Sequence, residues 1–276
     1  MEFAHSFWSE PMKQNRFGKI EDRSKENLLF YATSVSWVHK MGHKITLYAD
    51  AEGARFLSLI PYDNVVIVEN TITDSTKFAA SIKFIALEKM PLGDVLIDGD
   101  LYLWKPEIYK LLEEATEDVI VSAFERAEDI MWDDTVNYPD IFKQIPDDSF
   151  YSIANKYIDG WHNTSLIRFN NAELRDKWIA QYKIYVERYK DIDFGNKWPD
   201  VILEQRHLTD LCRNEGYTIR AIANRNIKER PNNKLMYEIG FMHLGVTKYF
   251  MKETSFKMLQ NNDSKTTRKI KYFLNL

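Results

Sequence analysis

Short apolar segments alternate with longer helical patterns along the first 123 residues of the sequence. Runs of three to six residues that are typical of buried strands occupy 3–8, 44–49, 64–69, 95–97 and 119–123. Between them, apolar residues recur at helical spacing over 24–40, 53–60, 77–90 and 106–117. Strands that alternate with helices predict βαβ units and a mostly parallel sheet, so the sequence predicts an α/β fold.

The second half of the sequence adds one strand and two long helical patterns. We expect the strand over 161–169 and amphipathic helices over 171–190 and 200–214. The acidic, aromatic-rich segment 125–149 indicates loops and short helices that cover one edge of a site. Because the sequence has neither internal repeats nor a low-complexity linker, we expect a single domain over 1–250.

Composition limits the classes of partner and compartment. The net charge of −4 argues against a nucleic-acid partner. Cys212 is the only cysteine, which excludes an internal disulfide and is typical of a reducing compartment. The sequence starts without the pattern of a secretory signal, and no stretch is apolar enough for a membrane span. We therefore expect a cytoplasmic protein.

The last residues, 251–276, form a basic tail with several large apolar side chains. Two interpretations remain open for this tail. It can contact the anionic inner face of a membrane peripherally, or it can be a solvated terminal helix.

Two carboxylates follow the apolar run Val95-Leu96-Ile97 directly, in the sequence Asp98-Gly99-Asp100. Alternate side chains of a strand point to the same face, so Asp98 and Asp100 are expected to lie side by side. Two adjacent carboxylates repel each other, and a divalent cation removes that conflict. Ligands of open α/β sheets bind beyond the carboxyl ends of the strands. The motif thus predicts a Mg²⁺ or Mn²⁺ site that also holds a diphosphate, with a solvated acidic turn as the alternative.

Four sequence features occur in the same order as in one known group of enzymes. They are Asp98-Gly99-Asp100, Asn163-Thr164-Ser165, Glu204-Gln205 and the late motif His243-x-Gly245-x-x-Lys248. Together they resemble the GT-A-fold glycosyltransferases, most closely the group of glycogenin and the lipopolysaccharide glycosyltransferases. The resemblance implies a Rossmann-like GT-A fold, with a mixed, mostly parallel sheet flanked by helices.

The resemblance also implies roles for individual residues. The implied metal ligands are Asp98, Asp100 and His243. The implied binding residues for the sugar-nucleotide donor are His5, Ser6, Phe7, Lys83, Asp98, Gly245 and Lys248. The implied residues near the reacting sugar are Glu204, Gln205 and Asn163. Mn²⁺ or Mg²⁺ is the implied ion, and a UDP-sugar is the implied donor.

The function expected from these residues is a metal-dependent hexosyltransferase. It would move a sugar from a nucleoside diphosphate to a glycan or a lipid-linked saccharide, in the synthesis of a surface polysaccharide. A cation and a lysine suit this reaction because they stabilise the negative charge on the leaving phosphate.

Other functions and simpler interpretations stay open on the sequence alone. A non-catalytic carbohydrate-binding protein would not need the Asp pair. A sugar nucleotidyltransferase would normally carry a Gly-rich basic loop, which the segment 5–12 lacks. A haloacid-dehalogenase-type phosphatase would have threonine or valine where Tyr102 stands. Individually, His243 is also compatible with a buried histidine, and Glu204 and Lys83 with solvated helix residues.

Overall fold

The computed structural model describes residues 1–13, 20–71, 77–125, 160–193, 200, 202–224, 239–244 and 251–274. Within these ranges the strands, in chain order, are β1 Phe3–Phe7, β2 Ile45–Ala49, β3 Asn64–Ile67, β4 Val95–Ile97, β5 Leu101–Leu103, β6 Val119–Glu125, β7 Trp161–Phe169, β8 Ile219–Asn224 and β9 Phe241–His243. The helices are α1 Glu10–Lys13, α2 Ile20–Lys40, α3 Ala51–Phe56, α4 Ser81–Lys89, α5 Pro106–Glu114, α6 Ala172–Tyr189, α7 His207–Glu215, α8 Lys252–Asn262 and α9 Ser264–Leu274.

Seven of the strands form one sheet in the order β3-β2-β1-β4-β7-β6-β8. Strands β1, β2, β3 and β4 pair in parallel, as do β6 and β8. Strand β7 runs antiparallel to both of its neighbours, β4 and β6. The predicted α/β class, with a mixed and mostly parallel sheet flanked by helices, is therefore confirmed.

The central strands of the sheet are buried on both faces, which explains why they are continuous apolar runs. In β4, Val95 and Ile97 belong to one buried cluster, which includes Leu28 of helix α2. Leu96, between them, belongs to a second cluster, which includes Trp178 of helix α6. Alternate side chains of one strand thus pack into the two layers of helices on opposite faces of the sheet.

The predicted helix over 200–214 was wrong in its first part. Residues Ile202–Arg206 form a π-helical turn, and the α-helix α7 begins only at His207. Such turns are rare and are often found at functional sites. This turn carries Glu204, one of the residues that the resemblance assigned to the site.

The predicted basic tail contains two helices that pack against α2. Leu259 of α8 and Ile270 of α9 are fully buried in the same cluster as Leu28. Ser255 is also fully buried, and its hydroxyl accepts a hydrogen bond of 2.8 Å from the hydroxyl of Tyr102. These residues of the tail thus belong to the protein core. Within the described residues, no helix combines the length and the apolar character that crossing a bilayer requires.

Candidate metal and sugar-nucleotide site

The two carboxylates of the Asp-Gly-Asp motif lie on a turn between β4 and β5. The prediction that an extended strand aligns them was wrong, because the backbone turns at Gly99 and Asp100. The Asp98 amide donates to the carbonyl of Ser165 at 2.7 Å, and the Leu101 amide donates back to the Asp98 carbonyl at 3.0 Å. These two bonds fix the start and the end of the turn.

A glycine is required in the middle of this turn for steric reasons. A Cβ atom at Gly99 would lie only 2.1 Å from the aromatic ring of Tyr31. Tyr31 is anchored by its hydroxyl, which donates to the Ser6 carbonyl at 3.0 Å. The turn therefore packs directly on a fixed aromatic ring, which holds the flanking carboxylates in place.

The short strand β9 brings His243 to these carboxylates. Its pairing with β5 places His243 opposite Leu101, and the Leu244 amide donates to the Asp100 carbonyl at 3.0 Å. The Nε2 atom of His243 lies 3.4 Å from Asp100 Oδ1 and 3.7 Å from Asp98 Oδ2. One ligand atom from each of the three side chains lies within 4.8 Å of the other two. The structure thus brings the three predicted metal ligands together.

The donor set of this cluster fits a divalent cation. Two carboxylates and one imidazole, all partly buried, can bind Mn²⁺, which accepts both oxygen and nitrogen ligands. Carboxylate oxygens also suit Mg²⁺.

Lys83 of helix α4 connects the metal-ligand cluster to Glu204. Its Nζ atom lies 2.9 Å from Asp98 Oδ1 and 2.5 Å from Glu204 Oε1, and it donates to the carbonyl of Thr164 at 3.3 Å. The Lys83 side chain is only 13% exposed. The interpretation of Lys83 as a solvated helix residue is therefore wrong.

Burial and charge act in opposite directions on these groups. Burial lowers the pKa of Lys83, but the carboxylates of Asp98 and Glu204 raise it above its ordinary value, so the ammonium stays charged. Burial also raises the pKa of Asp98, an effect that the charge of Lys83 opposes.

Glu204 is held at the site by two donors. The hydroxyl of Thr164 donates to Glu204 Oε1, and Lys83 contacts the same oxygen. Glu204 is only 7% exposed, which excludes a position on a solvated helix surface. Gln205, the next residue, has a different partner. Its side-chain oxygen accepts a hydrogen bond of 3.0 Å from the indole of Trp161.

Thr164 reaches Glu204 because strand β7 bulges at this point. The register between β6 and β7 shifts between Val121 and Ala123. Asn163 stabilises the bulge, since its side-chain oxygen accepts from the Ser165 amide at 2.9 Å and from the Ser122 hydroxyl at 2.9 Å. Its amide nitrogen donates to Glu125 at 3.0 Å. Asn163 is only 7% exposed, and its side chain forms its hydrogen bonds within the bulge. Bulges of this kind are frequent beside active sites.

The predicted donor-binding residues of β1 differ in their accessibility. His5 is fully buried, and its two ring nitrogens contact the hydroxyls of Tyr62 and Ser34. The His5 side chain is therefore engaged inside the protein, where it links β1 to Tyr62 and to Ser34 of helix α2. Phe7 is 6% exposed, and Ser6 is only partly buried. Ser6 is the member of this set that is most accessible to a ligand.

Other predicted parts of the site fall on residues that the structure does not describe. Gly245 and Lys248 lie outside the described residues, as does all but the first residue of the acidic segment 125–149.

Sequence reasoning missed two contributors to the site. Thr164 was quoted as part of a motif, but nothing in the sequence indicates that a bulge turns its hydroxyl toward Glu204. Tyr31 lies in the predicted helix over 24–40, and only the contact with Gly99 reveals its role.

A comparison with protein families matches almost the whole sequence. The model of DUF6734, described as a family of unknown function, matches residues 1–272. The chain belongs to this family. No curated protein matches the sequence.

Three solved structures that are similar to this chain are named as glycosyltransferases. One is the galactosyltransferase LgtC in complex with donor and acceptor sugar analogues, at 12% identity and a TM-score of 0.47, covering 95% of this chain and 96% of that chain. Another is mouse xyloside xylosyltransferase 1, at 9% identity and a TM-score of 0.40, covering 90% and 98%. A third is the glycosyltransferase GlyE of Streptococcus pneumoniae TIGR4, at 9% identity and a TM-score of 0.36, covering 92% and 51%.

Proposed function

We propose that the protein is a metal-dependent glycosyltransferase that uses a nucleoside diphosphate-sugar, with a UDP-sugar as the first candidate. One observation carries the proposal. Asp98, Asp100 and His243 converge at the carboxyl end of a central strand, beside the buried pair Lys83–Glu204. Such strand ends are where ligands bind in open α/β sheets.

Each group of the site has a task in this reaction. Asp98, Asp100 and His243 would hold the cation, which when bound neutralises the negative charge of the leaving diphosphate. Glu204, fixed by Thr164 and Lys83, supplies a carboxylate that can stabilise the positive charge developing on the sugar as its bond to phosphate breaks. Gly245 and Lys248 remain predicted contacts of the diphosphate.

Two alternatives make different demands on the same residues. A carbohydrate-binding protein without activity would bind saccharides equally well after Asp100→Asn. A sugar nucleotidyltransferase would bind a nucleoside triphosphate and release pyrophosphate. The glycosyltransferase proposal is supported over both by the combination of a metal-ligand cluster with a separate buried carboxylate, Glu204.

The test is thermal unfolding with UDP, GDP or CDP, each with Mn²⁺ or with EDTA. A ligand at 100 times its Kd adds about 2.7 kcal/mol to the free energy of unfolding, or about 5–10 °C in Tm for a chain of this size. We expect such a shift with one nucleotide, in Mn²⁺ and not in EDTA.

Matched variants locate the binding event. Asp100→Asn should abolish the shift, whereas Asp176→Asn, which changes an exposed carboxylate on α6, should leave it intact. A shift that survives Asp100→Asn, or that is equally large in EDTA, would contradict the proposed metal site. Release of the nucleoside diphosphate from the matching nucleotide-sugar then tests turnover.

For the location in the cell, we propose a peripheral contact with the anionic inner face of a membrane through helix α9. Its exposed face is basic and aromatic, with Tyr272 at 88% and Phe273 at 44% exposure, and its sequence Ser264–Leu274 contains no acidic residue. The exposed cations of this helix are Lys265, Arg268, Lys269 and Lys271.

Sedimentation with vesicles tests the proposal. Binding is expected with 30% anionic lipid and should be lost with neutral lipid and after Tyr272→Ser.

The acceptor is proposed as a glycan or lipid-linked saccharide of a surface polysaccharide. A membrane contact through α9 would place the enzyme next to such lipid-linked acceptors. The extent of the catalytic domain over 1–250 likewise stays a prediction.

A further inference from the structure

We infer that Lys83 is a resident cation of the site, which stabilises the acidic side chains in the absence of metal and weakens the binding of a divalent cation on its own. The inference rests on the proposed function, since it concerns the same metal site. It adds that the positive charge of Lys83 weakens the binding of the metal ion.

Lys83 is fully engaged inside the protein. An ammonium group has three donors, and Nζ of Lys83 has three oxygen neighbours, on Asp98, Glu204 and Thr164, at 2.9, 2.5 and 3.3 Å. It lies where three elements meet, because these partners come from the turn after β4, the π-helical turn and the bulge of β7.

The charges of the site explain why a lysine is needed there. Asp98, Asp100 and Glu204 contribute three negative charges, and Lys83 contributes one positive charge. The Glu204 side chain is only 9% exposed. A buried carboxylate that loses its cationic partner is strongly destabilising, so Lys83 keeps Glu204 compatible with the folded state.

The orientation of Asp98 places Lys83 and the metal ligands on opposite sides of one carboxylate. Its Oδ1 atom contacts Lys83, and its Oδ2 atom lies 3.7 Å from His243 Nε2, within the proposed ligand cluster. A metal ion bound by Oδ2 would share this carboxylate with the ammonium group. Two cations on one carboxylate repel each other, and partial burial weakens the screening by water.

This arrangement predicts a specific sign for the effect of removing the lysine. If Lys83 acts mainly as a competing charge, its neutralisation strengthens the binding of Mn²⁺. If Lys83 acts only by orienting Asp98, its neutralisation weakens the binding of Mn²⁺, because a ligand is then misplaced.

The experiment measures Mn²⁺ affinity of the full chain without nucleotide, from the electron paramagnetic resonance signal of free Mn²⁺. Lys83→Gln removes the charge and keeps two of the three donors, and we expect its Kd for Mn²⁺ to fall about tenfold or more. Lys83→Arg keeps the charge and should stay near wild type. Lys110→Met, which neutralises a lysine whose side chain is 71% exposed, should not change the Kd.

A second measurement keeps the inference testable if the variant is poorly stable. In EDTA, Lys83→Gln should unfold at a lower temperature than wild type, and saturating Mn²⁺ should raise its Tm by more than it raises that of wild type. A variant that unfolds in EDTA but refolds on addition of Mn²⁺ would support the inference equally well.

The outcomes separate this inference from the proposed function. If wild type binds Mn²⁺ in a manner that Asp100→Asn abolishes, but Lys83→Gln binds it no more tightly, the inference is wrong and the proposed function stands. If Mn²⁺ binds neither to wild type nor to any variant, with or without UDP, the inference and the proposed function are both wrong.

Discussion

The buried histidine of β1 leads to a quantitative prediction about stability at acidic pH. His5 is fully buried, with Nδ1 2.8 Å from the Tyr62 hydroxyl and Nε2 3.0 Å from the Ser34 hydroxyl. Ser34 donates its proton to the carbonyl of Leu101 at 2.7 Å, so Nε2 must donate to Ser34 and Nδ1 must accept from Tyr62. The neutral imidazole therefore satisfies both partners, whereas a second proton on Nδ1 would require Tyr62 to give up the hydrogen bond that it donates there.

Burial lowers the pKa of His5 from 6.5 to about 3, although the charge of Asp100 acts in the opposite direction. Below pH 6.5, His5 therefore binds a proton in the unfolded chain but stays neutral in the folded chain. The free energy of unfolding falls as the pH falls from 6.5 toward 3. The stability lost through His5 is about 1.4 kcal/mol at pH 5.5 and about 2.7 kcal/mol at pH 4.5.

The assay compares urea unfolding of wild type and His5→Gln at pH 7.5, 5.5 and 4.5. Glutamine retains one donor and one acceptor but does not titrate, and all other titrating groups are common to both proteins. His5→Gln should be the less stable protein at pH 7.5, and the difference should shrink by about 1.4 kcal/mol at pH 5.5. Two stability curves that stay parallel over this range would refute the reasoning.

Three further predictions concern Gly99, Thr164 and Cys212. Gly99→Ala places a methyl group against the ring of Tyr31, so it should destabilise the protein by about 1–3 kcal/mol and weaken Mn²⁺-dependent UDP binding; an unchanged Tm and Kd would contradict the packing. Thr164→Val leaves Glu204 without a hydroxyl donor, so it should cost about 1–2 kcal/mol in urea unfolding and lower kcat, whereas Thr164→Ser should retain both. Cys212 is buried, and burial raises the pKa of its thiol to about 12, so a thiol reagent should modify it only after unfolding; rapid modification of the native protein would contradict this environment.

The buried strands were predictable because local sequence determines them. Residues 45–49 and 95–97 are apolar runs bounded by turn residues, and the structure has strands there. Strands β5 and β9 were missed because each has three residues and neither forms a strand without the other. Their pairing joins Leu101 to His243, which are far apart in the sequence.

The grouping of Asp98, Asp100 and His243 was predictable, but the geometry around them was not. Asp98 and Asp100 follow from a sequence pattern, and His243 followed from the resemblance to a family, since no local signal places it beside them. The turn at Gly99 depends on a ring of another element, and the orientation of Glu204 depends on the bulge in β7. Contacts of this kind arise from tertiary packing, which a pattern of residue types does not encode.

The most direct test of the central claim is a crystal of the protein grown with Mn²⁺ and UDP, with diffraction measured at the manganese absorption edge. The account predicts one anomalous peak within coordination distance of Asp100 and His243, close to Asp98 and in contact with the diphosphate of UDP. A peak at other residues, or UDP bound away from this cluster, would contradict the account.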